Sequence, residues 1–372
     1  MVICRCQYHA EVSEYDRNSA LGTRNFFAPT KTRDIYHTFN LSGSGPIIKD
    51  KTFFYGLWNG ERVPGESFLT ANVPTPQERT GDFSQLLGIS KPVTIVDPLS
   101  GAPFPNNIIP TSRLNAVSLK AQNAYLPVPN LGAAGSLVNN FQWVHPYPGD
   151  QFVADVVAIR LDHRFSDKNS IYGRFTAYLP RYVLAGTYPA LAATKLRQSH
   201  SWSIVDTHIF SPTLLNTFTF GGNRDASQND VMVDGHLPPS AAKVVADLGI
   251  AGVNPKGYST PGGFPIMNIT GIGTLTVGVG GPTIFRSFTF ADSVSWSCGR
   301  HILKAGAELR TYRNFDGTVP ANSYGNFTFN GTLTNNGYAD FLLGLPFSSQ
   351  RLDPFINRAT FSPDERRSGT AV

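Results

Sequence analysis

Charge is scarce in this chain. Only 15% of its 372 residues are Asp, Glu, Lys or Arg, against roughly 25% in an average soluble protein. The net charge of +5 comes from 31 basic residues set against 26 acidic ones. These basic residues are scattered, with no run of five or more, so the charge pattern argues against a nucleic-acid partner. Cysteine is almost absent as well. Cys4, Cys6 and Cys298 have neither metal-site spacing nor the even count of a disulfide framework, and read as incidental thiols.

No apolar run reaches the roughly 18 to 20 residues that a membrane-spanning helix needs. That test leaves a β-barrel open, because its strands need only about 9 to 11 residues of alternating character. The opening "MVICRCQYHAEV" lacks the apolar core and small-residue cleavage site of an export signal.

Catalytic and cofactor motifs are missing too. "GSGPIIK" at 43–49 has glycines and a lysine but neither the second glycine before the lysine nor the Ser/Thr after it that a phosphate loop requires, and it runs into a strand pattern. "GIGTLTVG" misses the dinucleotide-loop spacing and no helix follows it. No G-x-S-x-G and no H-E-x-x-H occurs, so neither an α/β-hydrolase serine nor a helical zinc pair is signalled. His163 lies on the apolar parity of its strand and reads as interfacial or structural. Asp155, Asp162 and Asp167 read as solvated-face and turn residues rather than a carboxylate site. The sequons "NFT" and "NGT" arise easily in an Asn- and Thr-rich chain. No catalytic, cofactor-binding or metal residue is assigned, no cofactor is expected, and the chain is not expected to be an enzyme.

What the chain has in quantity is turn formers and aromatics: 35 Gly, 27 Pro, 26 Phe and 14 Tyr, a balance that favours strands and turns over helices. Four segments repeat one design of alternating run, tight polar turn and alternating run. "HTFNLSGSGPIIKDKTFFYGLWNGER" (37–62) turns at "IIKDK". "FVADVVAIRLDHRFSDKNSIYGRFTAY" sets Val157, Ile159, Leu161, His163 and Phe165 on one face and Ala158, Arg160, Asp162 and Arg164 on the other. A third hairpin turns at Ser211-Pro212 and a fourth at Gly299-Arg300, where Phe288, Phe290, Val294 and Trp296 share a face. In the first hairpin, Phe53, Tyr55 and Leu57 are expected on the lipid side, with Ser42, Ser44 and Gly56 toward the lumen and Lys49, Asp50 and Lys51 in water at the turn.

The connections between hairpins, 63–151, 179–198 and 225–286, are long. Short turns at one end of a sheet and long loops at the other are the pattern of an outer-membrane barrel. Two connections carry helix signals. In one, Ser112 is a candidate cap ahead of Leu114, Val117, Ala121 and Ala124. In the other, Ser240 is a candidate cap and Gly249 a stop for a turn bearing Val244 and Leu248. The stretch 252–282 reads as loop and weak strand.

Eight ordered blocks then carry a resemblance. "RNSALGTRNFF", "GPIIKDKTFFYG", "VPTPQERTGDFS", "DPLSGAPFPNNIIPTSRLNAVSLKAQNAYLPVPN", "RLDHRFSDKNSIYGRF", "DTHIFSPTLLNTFTFGGNR", "SWSCGRHILKAGAELR" and "YADFLLGLP" resemble the TonB-dependent outer-membrane receptors of the Oar-like kind, from about residue 10 to about residue 347. The resemblance implies a plugged barrel of roughly 22 strands that takes up scarce, large ligands such as siderophores or oligosaccharides. It also implies a plug domain, TonB with ExbB and ExbD, and the barrel assembly machinery as partners.

The expected architecture is therefore all-β: a partial antiparallel transmembrane barrel of about nine or ten strands, with short periplasmic turns and long extracellular loops containing short helices. Residues 1–35 are expected to hold a divergent start with the first strand and loop, 36–347 the partial receptor barrel, and 348–372 a divergent, disordered tail. With no signal peptide, TonB box or plug legible, a truncated or frameshifted gene product is the expectation, resident in the outer membrane and not competent alone. The alternative is a self-contained barrel or sandwich acting as a glycan- or protein-binding or adhesion module.

Overall fold

The computed structural model describes residues 7–24, 26, 30–31, 33–133, 135–147, 152–233, 241–251, 264–276, 281–316, 321–351 and 365–371. Its strands begin with β1 (His9–Asn18), β2 (Ile35–Ile48), β3 (Thr52–Arg62), β4 (Gly65–Ala71) and β5 (Phe141–Tyr147). They continue with β6 (Phe152–Ser166), β7 (Asn169–Tyr178), β8 (Arg181–Ala185), β9 (Leu191–Ser211), β10 (Leu214–Val233), β11 (Ile266–Ile269) and β12 (Gly273–Leu275). The last are β13 (Gly281–Cys298), β14 (His301–Asp316), β15 (Asn326–Phe329), β16 (Ser348–Gln350) and β17 (Glu365–Ala371). Three α-helices lie among them: α1 (Ala116–Tyr125), α2 (Ala241–Leu248) and α3 (Gly337–Leu343).

The main sheet has eleven strands in the order β1-β2-β3-β6-β7-β9-β10-β13-β14-β17, with β8 beside β6 and β9. Every pairing in it is antiparallel. The four hairpins stand where the alternation placed them, with turns at 49–51, 167–168, 212–213 and 299–300, the third one residue later than expected because Ser211 still belongs to β9. Gly299 has a left-handed φ of 60° that suits the two-residue turn it forms with Arg300. The connection 63–151 also stands as expected. The other two are shorter than expected, because β9 runs 21 residues and β10 runs 20. The outer halves of these strands carry polar residues on both parities, so apolar periodicity did not reveal them.

Pairing assigns each residue to a face, since directly opposite residues point the same way. Trp58 opposes Leu41 and Val157, and Phe54 opposes Leu161. The same face continues through Ile159 and Phe175, Trp202 and Gly222, Phe220 and Phe290, and Leu309. The opposite face carries Tyr55 beside Ser44 and Arg160, then Arg174 and Ser203. This corrects the first hairpin: Phe54 and Trp58 belong to the apolar band, while Phe53, Tyr55 and Leu57 lie on the polar face. Gly56, opposite Gly43 and Ile159, is on the apolar face and only Ser42 and Ser44 are on the polar one. Both parities of β3 carry aromatics, so its neighbours decide the face.

The apolar face is exposed at Ile159, Leu161, Ile204, Phe218, Phe290 and Leu309. Near the tight turns it carries Phe165, Phe210 and Trp296, with His163 edge-on to Phe165 and His208 to Phe210, each at 4.5 Å. Toward the other end come Trp58, Phe175, Trp202 and Phe288. Two aromatic layers bounding an aliphatic one are what membrane interfaces select.

The hydrophobic core lies away from this wall. It is built from the long connections and the segment after β14, including Val73, Phe83, Ile95, Ile109, Met267 and Phe341; among the described residues of the long strands, only Leu191 at the tip of β9 contributes. Fully buried Phe and Tyr side chains stabilise by roughly 1.5–3 kcal/mol each, so this cap holds itself together. It includes a four-stranded sheet, β12-β11-β15-β16, and the β4-β5 pair.

Part of 348–372 is structured, contrary to expectation. β16 pairs with β15, and β17 pairs with β14 from Asn314↔Glu365 to Glu308↔Ala371. Each takes up backbone groups that a bare edge would leave unsatisfied. Among the described residues no pairing joins β1 to β17.

Candidate functional site

The polar face and the cap are the two surfaces able to meet a ligand. On the polar face Arg160 grips Asp162 with two hydrogen bonds, Nε to Oδ2 at 2.8 Å and Nη2 to Oδ1 at 2.6 Å. The same guanidinium lies over the Tyr172 ring, 3.9 Å from its centroid. Arg310 pairs with Glu308 at 2.6 Å and donates to Thr289 Oγ1 and the Tyr312 hydroxyl, each at 3.3 Å. Ser201, Ser203, Thr217, Thr219, Asn223 and Ser287 fill the positions between. Such a stretch of wall offers hydrogen bonds to a polar solute.

The cap is stapled by buried polar side chains. Asn107 Oδ1 accepts from Ile95 N at 2.7 Å, and its Nδ2 donates to Val93 O at 2.8 Å and Phe83 O at 3.2 Å. Asn140 exchanges two 2.8 Å bonds with the Val73 backbone. The Tyr188 hydroxyl donates to Asn72 O at 3.0 Å and Ile272 O at 3.1 Å, tying the β8–β9 connection to two other loops; burial pushes that phenol well above its ordinary value. In "TPQE", Thr75 Oγ1 accepts from Glu78 N at 3.2 Å and Glu78 Oε2 accepts from Thr75 N at 2.8 Å, a reciprocal capping box. Burial raises the Glu78 carboxyl, although the Thr75 bonds pull the other way. The Tyr338 hydroxyl donates to Gln122 Oε1, and burial raises this phenol as well.

α2 buries Val244 and Leu248, and Gly249, at φ 81°, stops it by donating to Val245 O and Ala246 O at 3.0 Å; its proposed cap, Ser240, lies outside the described residues. α1 is capped by Asn115, not Ser112, with Oδ1 accepting from Val117 N at 2.8 Å and Ser118 N at 3.2 Å. Ser112 sits inside a preceding 3-10 turn, Thr111–Arg113, and so cannot start the helix. α1 buries Ser118, Ala121, Gln122 and Tyr125, while Ala124 is exposed. α3, wholly buried, escaped the reading. Its signals were present in Asn336, which caps it by accepting from Tyr338 N and Ala339 N, and in Gly344, which ends it.

Between α1, β11, β15 and α3 lies a cavity of about 240 Å³ lined by Val117, Ser118, Ile250, Met267, Phe329 and Phe341. It is apolar and has room for one ring or a short alkyl group. A wider polar recess of about 570 Å³ sits at the end of β1, with Arg17, Lys31 and Asp34 in its lining.

The carboxylates singled out in the sequence do not converge. Asp155 receives Trp58 Nε1 at 3.1 Å and Arg62 Nη2 at 3.0 Å on the apolar face. Asp162 serves Arg160 on the polar face, and Asp167 pairs with Arg164 at 2.5 Å in the turn. His163 Nδ1 lies 2.8 Å from Thr52 Oγ1. Cys298 is exposed at a turn, and Cys4 and Cys6 lie outside the described residues. Among the described residues no cluster of three His, Cys, Asp or Glu is arranged around a metal position.

No curated protein and no solved structure gives a significant match to the chain. A family model described as an outer membrane beta barrel domain matches residues 6–365. With that match running almost end to end over antiparallel hairpins that are apolar on one face and polar on the other, the chain belongs to the outer membrane beta barrel domain family.

Proposed function

We propose that this barrel serves a TonB-dependent transporter of the outer membrane, taking up a scarce ligand too large for an open pore, such as a siderophore or an oligosaccharide. The observation that carries the reading is the cap. Loops that merely joined strands would need no core, yet here they bury Phe83, Ile95, Ile109, Tyr338 and Phe341 completely or nearly so beyond the far end of a polar wall. A pre-organised, loop-built surface suits recognition of one ligand, and the polar wall suits its passage. On this reading a plug domain, TonB with ExbB and ExbD, and the barrel assembly machinery are the partners; nucleic acid is not one, and no bond of the ligand is broken.

The test is uptake of labelled siderophores and oligosaccharides by cells with and without the gene, in backgrounds with and without TonB. Loss of uptake of one ligand in both deletions is expected. Uptake that persists without TonB overturns the reading. A soluble, lipid-free monomer that binds glycans would favour a self-contained adhesion module instead.

A further inference from the structure

We propose that the apolar face of β9, β10, β13 and β14 binds a phosphorylated lipid headgroup of the outer leaflet, on a row made by His200, Arg224, Arg286 and Arg313. Register sets these four side by side: His200↔Arg224, Arg224↔Arg286 and Arg286↔Arg313. Like charges directly opposite one another on neighbouring strands are destabilising, so Arg224 and Arg286, set directly opposite each other, call for an anion. Arg224 and Arg286 have no carboxylate partner among the described residues. The rows on either side are uncharged: Gln198, Ala226, Ile284 and Phe315 beyond, Trp202, Gly222, Phe288 and Thr311 before. Elsewhere the chain does provide such partners. Arg62, on the same face, has Asp155, and Arg197, on the opposite face, has Asp225.

The height of the row names the occupant. Counted from the tight turns, Arg224 is the eleventh residue of its strand, His200 the twelfth, and Arg286 and Arg313 the thirteenth. A barrel strand crosses the hydrocarbon in about 9 to 11 residues. Just before the row stand Trp202, Phe220, Phe288 and Phe290, with Trp202 edge-on to Phe220 at 4.8 Å and Phe220 stacked on Phe290 at 4.5 Å. His200 stacks on Phe175 at 6.0 Å. Aliphatic band, aromatic layer and cation row thus follow one another, and the layer above interfacial aromatics is that of the headgroups. Long loops mark the extracellular side, so this is the outer leaflet. Guanidinium forks match phosphate oxygens two at a time. The inference rests on membership of the barrel family and not on which ligand is transported.

The test uses the full chain extracted from outer membranes in mild detergent, with retained lipid phosphorus measured and native mass spectrometry identifying the lipid. Replacing both Arg224→Gln and Arg286→Gln is expected to lower phosphorylated-lipid occupancy roughly 25-fold, about five-fold per residue. Arg160→Gln, on the polar face, is expected to leave it unchanged. Equal retention by the double variant overturns the proposal. Should that variant fail to fold, the wild-type chain decides: vesicles containing the phosphorylated lipid must raise its unfolding temperature above vesicles of the same lipid stripped of phosphate. Equal stabilisation by both, or by inorganic phosphate alone, overturns it.

Discussion

A β-carbon on Gly344 would stand 2.4 Å from Nδ2 of Asn115. Gly344 ends α3 at φ 69°, Asn115 starts α1, and Asn115 N donates to Leu342 O at 2.7 Å. One contact therefore joins the end of one cap helix to the start of another. Gly344→Ala is expected to cost about 1–2 kcal/mol from the left-handed backbone alone, and more from the displaced Asn115. Faster proteolysis within the cap, with unchanged heat-modifiable gel mobility of the barrel, is the expected readout; unchanged proteolysis would remove this junction from the account.

Asp340 is fully buried and accepts from Gly331 N at 2.8 Å and Thr334 Oγ1 at 2.6 Å. Asp340→Ala strands the Gly331 N–H and leaves the Thr334 hydroxyl only Asn336 O, at 2.9 Å. A loss of about 2–3 kcal/mol is expected, seen as faster hydrogen exchange over 331–345 while β6 and β7 stay protected.

Two carboxyls in the cap titrate with opposite consequences. Burial holds Glu78 above its ordinary 4.5, so its contribution is present in full below 4.5 and is lost as pH rises through the raised value. The Arg113 side chain holds Asp97 below its ordinary 3.8, so its contribution is present above 3.8 and is lost as pH falls through the lowered value. Glu78→Gln keeps an acceptor for Thr75 without the charge, and is expected to slow exchange around 75–81 at pH 7. Glu78→Ala loses the capping box and is expected to speed it, by about 0.5–2 kcal/mol of local stability.

Ile159 and Ala158 are neighbours in the chain on opposite faces of the wall. Arg at 159 is expected to destabilise the membrane-inserted protein by about 2–4 kcal/mol, and Arg at 158 by far less. Unfolding in urea from vesicles measures both; equal losses would mean that the faces are misassigned.

Gly222 lies opposite Trp202, and a β-carbon there would meet the Trp202 ring at 3.1 Å, Phe288 at 3.2 Å and Ser287 O at 2.9 Å. Gly222→Ala is expected to lift Trp202 out of its layer at a cost of about 1–3 kcal/mol. A shift in tryptophan emission alongside a lower unfolding temperature is the readout.

The four hairpins and the faces of β6, β7, β13 and β14 were legible in the sequence, because a period of two is local and each of those strands keeps most of its large apolar residues on one parity. β3 was not, since Phe53, Tyr55 and Leu57 compete with Phe54 and Trp58. Opposition of Phe54 to Leu161 and of Tyr55 to Arg160 resolves it. α3 went unread because its boundaries were marked by Asn336 and Gly344 but its brief apolar run had no polar face to show a helical period.

The chain by itself determined an antiparallel wall with one apolar face, short turns at one end and long connections at the other. Tertiary structure decided what the connections become. The cap core draws Val73, Phe141, Tyr188, Leu248, Leu275 and Phe341 from segments far apart in sequence, and the row of Arg224, Arg286 and Arg313 exists only once three strands are in register. Alternation is a property of neighbours along the chain, whereas burial and charge adjacency are properties of neighbours across it.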